Sequence, residues 1–350
     1  MRFFDYSFLE RGLLPVGLVN IVSAISELRE RENERKSSFS GVFDRLESVA
    51  KVQSVKGSNE IEGIVTSEQR LNEIVNQNSA PLNHNEAEIA GYRDALGLIH
   101  ERQETLDIRE RDILRLHEVL LSYTPAVGGR YKEADNVIIE IVAGKRHVRF
   151  TPVPAKETSE AMEQLVLAYM DARSNYSINQ LLLTPCFILD FLCIHPFTDG
   201  NGRMSRLLSL LLLYKNGFDA GRYISFEEQI NKTKITYYQA LKESSTGWHE
   251  GNNVYFPFIE NFITTLLYCY RELDKRFAVV NSKKVTKRGR IEATVLNSLL
   301  PVSIREICFI LPDVSPTTVE AVLAEMVRNR QIEKIGAARN TRYVKKGKHE

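Results

Sequence analysis

His195-Pro196-Phe197-Thr198-Asp199-Gly200-Asn201-Gly202-Arg203-Met204-Ser205-Arg206 stands between two apolar segments, Leu181–Ile194 before it and Leu207–Tyr214 after it. Both flanks read as buried helices, so the fold must bring a polar, glycine-rich turn to the junction of two core elements. Gly200-Asn201-Gly202 supplies a backbone that bends tightly and presents several N–H groups to one point. Arg203 is expected to open the second helix, aiming its free N–H groups and dipole at the same place, a setting suited to an anion. Arg203 and Arg206 lie three apart and project from one helical face beside it. Asp199 adds a hard acidic oxygen of the kind magnesium takes together with phosphate oxygens. His195 is able to accept a proton near neutral pH. A phosphate cradle, a metal ligand, two arginines and a base within twelve residues point to transfer of part of a nucleotide.

The stretch resembles, position for position, the signature of the Fic family, His-Pro-Phe-x-(Asp/Glu)-Gly-Asn-Gly-Arg-x-x-Arg. The resemblance implies an all-α, mainly helical core with a β-hairpin, and protein AMPylation: AMP moves from ATP to a Ser, Thr or Tyr hydroxyl of a target protein and pyrophosphate leaves. On that reading His195 is catalytic and takes the hydroxyl proton, and Asp199 holds Mg2+ bridging the α- and β-phosphates. Asn201 and the N–H groups of Gly200 and Gly202 bind the α-phosphate, Arg203 and Arg206 hold the β- and γ-phosphates, and Phe197 anchors the loop. Two alternatives keep the fold: movement of UMP, phosphate or phosphocholine, and removal of AMP by a water that a glutamate orients. A third is a DNA-binding regulator whose core only senses nucleotide.

Upstream, Ser58-Asn59-Glu60-Ile61-Glu62-Gly63 reads by itself as a short helix that Ser58 caps and Gly63 ends, with Glu62 one turn on. It also matches in full the inhibitory-helix pattern of many Fic proteins, (Ser/Thr)-x-x-x-Glu-(Gly/Asn). The resemblance implies that Glu62 pairs with Arg206 in the place of the γ-phosphate, a carboxylate competing with a phosphate for one fork of donors. Its position before the signature is that of the amino-terminal inhibitory class.

Around these stretches the reading places a helical amino-terminal region with the inhibitory motif in residues 1–80, a catalytic core in 81–278, and a linker with a small winged helix-turn-helix domain in 279–350. Aromatic residues Phe3, Phe4, Tyr6 and Phe8 lead the chain and are expected to pack on its body. Helical spacing recurs over 16–31, 42–52, 67–75, 86–100, 109–122, 158–171, 179–194, 203–216, 227–245 and 256–276. His117 falls on an apolar helical face and reads as a core histidine. Between Gly128 and Pro154 the period changes to that of a hairpin, with Val137–Val142 and His147–Phe150 flanking Ala143–Arg146. In the family a hairpin here, the flap, holds the target segment by strand addition, so residues 137–152 are the expected docking place of the target hydroxyl. The resemblance also makes Tyr238 the adenine-lining aromatic, Tyr237 being the neighbouring candidate.

From Lys283 to Glu350 there are 14 Lys/Arg and 7 Asp/Glu, a net of +7 that leaves about −6 for the rest. Residues 282–290 read as a basic linker; helices over 291–300, 303–311 and 315–329, then strands 332–335 and 341–344, make the winged helix. Thr317, Thr318, Glu320 and Glu325 give its third helix a neutral-to-acidic face, so DNA and protein both stand as partners. The whole chain is nearly balanced, 46 basic against 45 acidic residues, which excludes a general polyanion binder. Cys186, Cys193, Cys269 and Cys308 read as buried free thiols of a reducing compartment. The first residues lack a secretory layout and no apolar run spans a bilayer, so the expectation is cytoplasmic, without membrane contact and compatible with a homo-oligomer.

Overall fold

Apolar residues recurring at helical spacing fold most of the chain into helices. α1 (Phe8–Arg11), α2 (Val16–Ser38), α3 (Ser40–Ile61), α4 (Glu68–Gln77), α5 (His84–Arg102) and α6 (Glu110–Leu121) precede a hairpin of β1 (Ile138–Val142) and β2 (Lys145–Phe150). α7 (Ala155–Ser174), α8 (Gln180–Ile194), α9 (Asn201–Lys215), α10 (Ala220–Tyr223), α11 (Phe226–Lys232), α12 (Lys234–Ser245) and α13 (Phe256–Asn281) follow. The chain closes with α14 (Lys287–Leu296), α15 (Ile304–Ile310), α16 (Pro316–Arg328), β3 (Ile332–Ile335) and β4 (Arg342–Lys345). The structure, a computed structural model, describes residues 2–142, 144–281, 286–296, 298, 301–311, 314–336 and 341–345. Among them no helix is long and apolar enough to cross a membrane. The fold is mainly helical with a small antiparallel hairpin, as expected.

Two compact units result, residues 1–26 with 50–269, and residues 27–49 with 270–350. These divisions fall elsewhere than the boundaries after residues 80 and 278 read from sequence. In the first unit α8 is buried from Leu181 to Ile194, and α9 is buried along nearly all its length. A helix apolar on every side needs neighbours on every side, and α5, α6, α7 and α12 pack around this pair. The buried Asp190 of α8 accepts hydrogen bonds from Tyr6 Oη (2.8 Å), Trp248 Nε1 (2.7 Å) and Tyr255 Oη (2.9 Å). Those bonds satisfy a carboxylate that would otherwise be costly to bury, and they pin the aromatic lead to the core. Phe4 and Tyr6 are buried there, whereas Phe3 is exposed.

Several boundaries correct the sequence reading. α9 begins at Asn201 rather than Arg203, because Gly200 takes a left-handed conformation (φ 81°) and serves as N-cap. Ser58 caps nothing: it lies in the last turns of the 22-residue α3. The expected helix over 227–245 is two, α11 and α12, broken at Thr233. The break shifts the helical phase that one continuous helix over 227–245 would have, so Ile235 is 85% exposed and Tyr237 is buried. β2 begins at Lys145, not His147, leaving a tighter tip whose Ala143 lies outside the described residues. Cys186, Cys193 and Cys269 are buried free thiols, but Cys308 is only half-buried.

In the second unit Ile291, Val295, Val302, Ile307, Leu311, Val319, Leu323, Met326, Ile332 and Tyr343 form the core. Ser303 and Glu306 make a capping box at α15, and Ser315 caps α16 ahead of Pro316. β3 pairs antiparallel with β4, and Val302 makes a further bridge to Tyr343 that the sequence reading missed. Lys287–Arg290, read as linker, belong to α14; residues 282–285, 297, 299–300 and 337–340, where the loop of the wing was expected, lie outside the described residues.

Candidate active site

The turn between α8 and α9 is built backward from Asn201. Its buried side chain accepts the Phe197 N–H at 2.9 Å and donates to the Phe197 carbonyl at 2.7 Å, closing residues 197–201 into a fixed loop. Its amide is thereby engaged within the chain, so what Asn201 offers an anion is its backbone N–H in the first turn of α9, where no intrahelical acceptor exists. The first-turn N–H groups of Gly202 and Arg203 share that orientation. Phe197 is fully buried and stacks on His117, ring centroids 3.7 Å apart, which meets the expectation for both residues. His117 also holds the loop by hydrogen bonds. The Gly129 N–H donates to its Nδ1 (3.2 Å), which leaves Nε2–H to donate to the Asp199 carbonyl (3.1 Å).

His195 ends α8 in a left-handed conformation (φ 53°) that turns its ring out of the helix. Nδ1 lies 3.3 Å from the Leu192 carbonyl, which fixes the proton there and leaves Nε2 as the basic nitrogen. Burial, helped by the nearby Lys132 charge, pushes the imidazole down to about 4, against the opposing pull of the Leu192 bond and Glu62. It is therefore neutral at pH 7, the form a base requires. Lys132, which the sequence reading passed over, donates from Nζ to the Ile194 carbonyl (3.2 Å) and to Asn136 Oδ1 (2.9 Å). Its backbone N–H bonds the Pro196 carbonyl at 2.8 Å. Burial pushes this ammonium down to about 8.

The arginines have distinct partners. Arg206 is buried; its Nε donates to Ser58 Oγ (2.8 Å), and Nη2 to the Ser58 carbonyl (3.0 Å) and Glu62 Oε1 (2.7 Å). Sequence reasoning named these three residues, and the structure brings them together. Burial would raise the Glu62 pKa, but the Arg206 charge and hydrogen bond, with Arg203 and Lys234, outweigh it and hold the carboxyl below its usual range. Arg203 is hydrogen-bonded to the buried Glu88 of α5, another residue the sequence did not single out, and its Nη2 lies 3.6 Å from Asp199 Oδ2. Burial lowers the Arg203 pKa to about 10, so it remains charged.

Glu62 borders two cavities at once. One, of about 190 Å³, is lined by Tyr238, Leu241, Arg149, Ile138, Leu192 and His195. The other, of about 300 Å³, is lined by His195, Asp199, Gly200, Asn201, Gly202, Arg203 and Glu88. The first is the more apolar and aromatic, suited to a base; the second gathers helix N–H groups and arginine, suited to phosphates. Tyr238 lies in the first, with the Arg149 guanidinium 5.7 Å from its ring centroid. Asp199 lines the second with an exposed carboxylate, and its Oδ1 accepts the Gly200 N–H at 2.6 Å, so that N–H, expected at the α-phosphate, is engaged within the loop. Among the described residues no group of three His, Cys, Asp or Glu forms a metal cage, so a cation at Asp199 fits only as one sharing phosphate oxygens, the usual manner of magnesium.

The turn that carries Glu62 is held from behind. Gly63 (φ 80°) ends α3, and Lys234 Nζ bonds the Ile61 carbonyl at 2.5 Å. Asn231 bonds Glu60 at 2.8 Å, and Ser54 bonds Glu227 at 2.8 Å. At Gly57 a Cβ would meet the Glu228 backbone nitrogen at 2.9 Å, so α3 lies directly on the start of α11 only because that residue has no side chain.

His117 and His195 make stability acid-sensitive. Burial pushes His117, like His195, down to about 4, while both titrate near 6.5 when unfolded. Between those values the unfolded chain binds more protons. Their contribution is complete above pH 6.5 and is lost as pH falls through about 4. Urea midpoints measured from pH 7 to 4.5 should fall, and His117→Gln, which keeps an acceptor for Gly129 and a donor for Asp199, should flatten that slope. An unchanged slope would contradict it.

Residues 107–213 match the family model described as Fic/DOC family. The chain is 32% identical over 108 residues to a protein adenylyltransferase fic-1 of Caenorhabditis elegans, covering 31% of this chain and 19% of that protein. It is 24% identical over 251 residues to a protein adenylyltransferase Fic of Nematostella vectensis, covering 66% of this chain and 55% of that one. The chain thus spans a minor part of the first relative and about half of the second. A Fido domain-containing protein of Dictyostelium discoideum is 32% identical over 121 residues, 33% of this chain and 78% of that protein. The crystal structure of a Fic family protein from Desulfovibrio desulfuricans covers 97% of this chain and 98% of its own at TM-score 0.63 and 22% identity, a likeness of fold.

Proposed function

The chain belongs to the Fic/DOC family, and from that premise we propose that it is an autoinhibited protein adenylyltransferase, moving AMP from ATP to a Ser, Thr or Tyr hydroxyl of a target protein. The observation that carries the reading is the Glu62 carboxylate bonded to Arg206 between an aromatic cavity and a phosphate-type cavity, both of which His195 borders. ATP with its adenine near Tyr238 and its phosphates at the start of α9 occupies both. The acceptor oxygen attacks the α-phosphorus, His195 Nε2 takes the hydroxyl proton, and the bond to the β-phosphate oxygen breaks to release pyrophosphate. Asn201, Gly202 and Arg203 N–H groups receive charge developing on the α-phosphate; Arg203 and Arg206 hold the outer phosphates. Asp199 would hold magnesium, which when bound would supply further neutralisation of phosphate charge.

ATP labelled on the α-phosphate tests the reading. Label on protein from that position, and none from the γ-position, is the expected result; the reverse favours phosphate transfer and sinks the AMP reading. Glu62 also invites the question of AMP removal, which release of labelled AMP from pre-modified protein would reveal.

The bed of α3 gives a second test. Gly57→Val would force α3 off the Glu227–Glu228 backbone, a clash that typically lowers stability by about 1–3 kcal/mol. It should also draw the turn carrying Glu62 from Arg206 and raise AMP incorporation several-fold with Glu62 intact. A stable Gly57→Val protein with unchanged labelling would show that the bed does not control the turn. In the second unit, the exposed face of α16 carries Thr317, Glu320, Ala321 and Ala324, with Arg328 its one exposed basic residue among those described, a balance that supports a protein rather than DNA as its partner within a winged-helix reading.

A further inference from the structure

The hairpin of β1 and β2 differs in charge from the unit that carries it. Among the described residues the sheet has two strands, so each has an unpaired outer edge. Its base is fixed: Phe150 stacks on His249 (centroids 5.4 Å, 12°), His249 Nε2 lies 2.8 Å from the Thr151 carbonyl, and Arg149 donates to the Tyr238 carbonyl at 3.3 Å. Arg149 borders the cavity shared with His195 and Tyr238. Side chains alternate along a strand, so Lys145 and His147, with Glu140 opposite His147, share the face of Ile138; Arg149 is the extra residue where the register shifts between Ile138 and Ile139, and it borders the same cavity as Ile138. The Glu140 charge is taken by Lys242 of α12, at 2.9 and 3.1 Å. Lys145, Arg146 and His147 are exposed, and among the described residues they make no ion pair. The site-side face of the hairpin is thus left with the uncompensated positive charge of Lys145 and Arg149, while residues 1–282 carry about −6 in total.

We infer that the target segment taken up by this hairpin is acidic, an extended stretch whose Asp or Glu residues flank the Ser, Thr or Tyr that accepts AMP. The inference rests on the adenylyltransferase reading and names its substrate class. A strand added along the hairpin edge meets the same alternation: the acceptor and residues two away on either side share the face turned to His195. Carboxylates at those positions meet Lys145, His147 and the remaining donors of Arg149. Backbone bonds hold the segment in any sequence, so the charge row is what discriminates. Ile139 and Val148, paired across the strands and 49% and 62% exposed, lie on the opposite face and add apolar contact without sequence-specific charge.

The experiment uses the full-length Glu62→Gly protein and fluorescent twelve-residue peptides with one central Thr, the residues at offsets of two being Asp, Ser or Lys. Fluorescence anisotropy reads binding without ATP; label from α-phosphate reads transfer. The acidic peptide should bind at least tenfold more tightly than the lysine peptide, with the gap shrinking at high salt, and should be labelled faster. Lys145→Glu with His147→Glu should reverse the order while leaving ATP binding unchanged. Equal binding of all three peptides, no reversal in the double variant, or equally tight capture of a single-stranded oligonucleotide of matched charge overturns the acidic-segment inference. If the acidic peptide binds as expected but no α-label reaches any protein or peptide, the adenylyltransferase reading fails and the docking surface stands by itself.

Discussion

Glu62→Gly is expected to raise incorporation of α-phosphate label into protein by roughly 10- to 100-fold, since a hydrogen bond to a charged group is worth about 1.5–3 kcal/mol and each 1.4 kcal/mol is a factor of ten. The geometry makes the variant informative. Arg206 keeps its two bonds to Ser58, so its guanidinium stays oriented while the fork that faces Glu62 becomes free for a phosphate. The carboxylate also borders both cavities, so its loss removes bulk and negative charge from each at once. A Cβ on the neighbouring Gly202 would meet Glu62 Oε1 at 2.3 Å, which measures how closely the carboxylate lies on the start of α9. Glu62→Gln should give an intermediate result, because it removes the charge and leaves the bulk. ATP affinity measured by calorimetry should rise in step with labelling. Tighter ATP binding without label on protein would separate nucleotide sensing from transfer and remove the enzymatic reading.

The site was legible where its chemistry is local in sequence. His195, Asp199, Gly200–Arg203 and Arg206 act within one turn between two helices, so their spacing carries their geometry. The Arg206–Glu62 contact joins residues 144 positions apart, and only the match of the upstream motif to a family pattern connected them. Glu88 and Lys132 carried no signal, because a single Glu on a helix or a single Lys in a turn becomes important only when another element approaches it. Local rules also misled at identifiable places. Ser58 read as a helix cap, as serine commonly is, but it lies inside α3; at the preceding Gly57 the missing Cβ serves the contact with α11, and packing overrides the low helix propensity of glycine. Arg203 read as the helix start because glycines precede it, whereas Gly200 turns the chain and the folded-back Asn201 amide lets α9 begin two residues earlier. The Thr233 break, where the Thr233 hydroxyl bonds the Gln229 carbonyl, left no mark in the hydrophobic pattern, and the phase of α12 was misread with it.

His195→Ala in the Glu62→Gly background should lower transfer by about 10²- to 10⁴-fold, the usual contribution of a positioned general base, with ATP affinity unchanged. Residue 195 has a left-handed backbone, which strains alanine by about 1–2 kcal/mol, so a loss in His195→Ala alone could reflect a disturbed loop. His195→Asn separates the causes: asparagine tolerates that conformation and its amide cannot take the proton. Equal losses in both variants, with melting temperatures near the parent for His195→Asn, assign the effect to the base. The pH profile gives an independent reading. With the imidazole held at about 4, transfer should stay level from pH 8 down to 6 and decline only as pH approaches that value. An acid limb near 6.5 would mean a solvated ring, and the buried base that turns its one free nitrogen to the cavities would have to be abandoned.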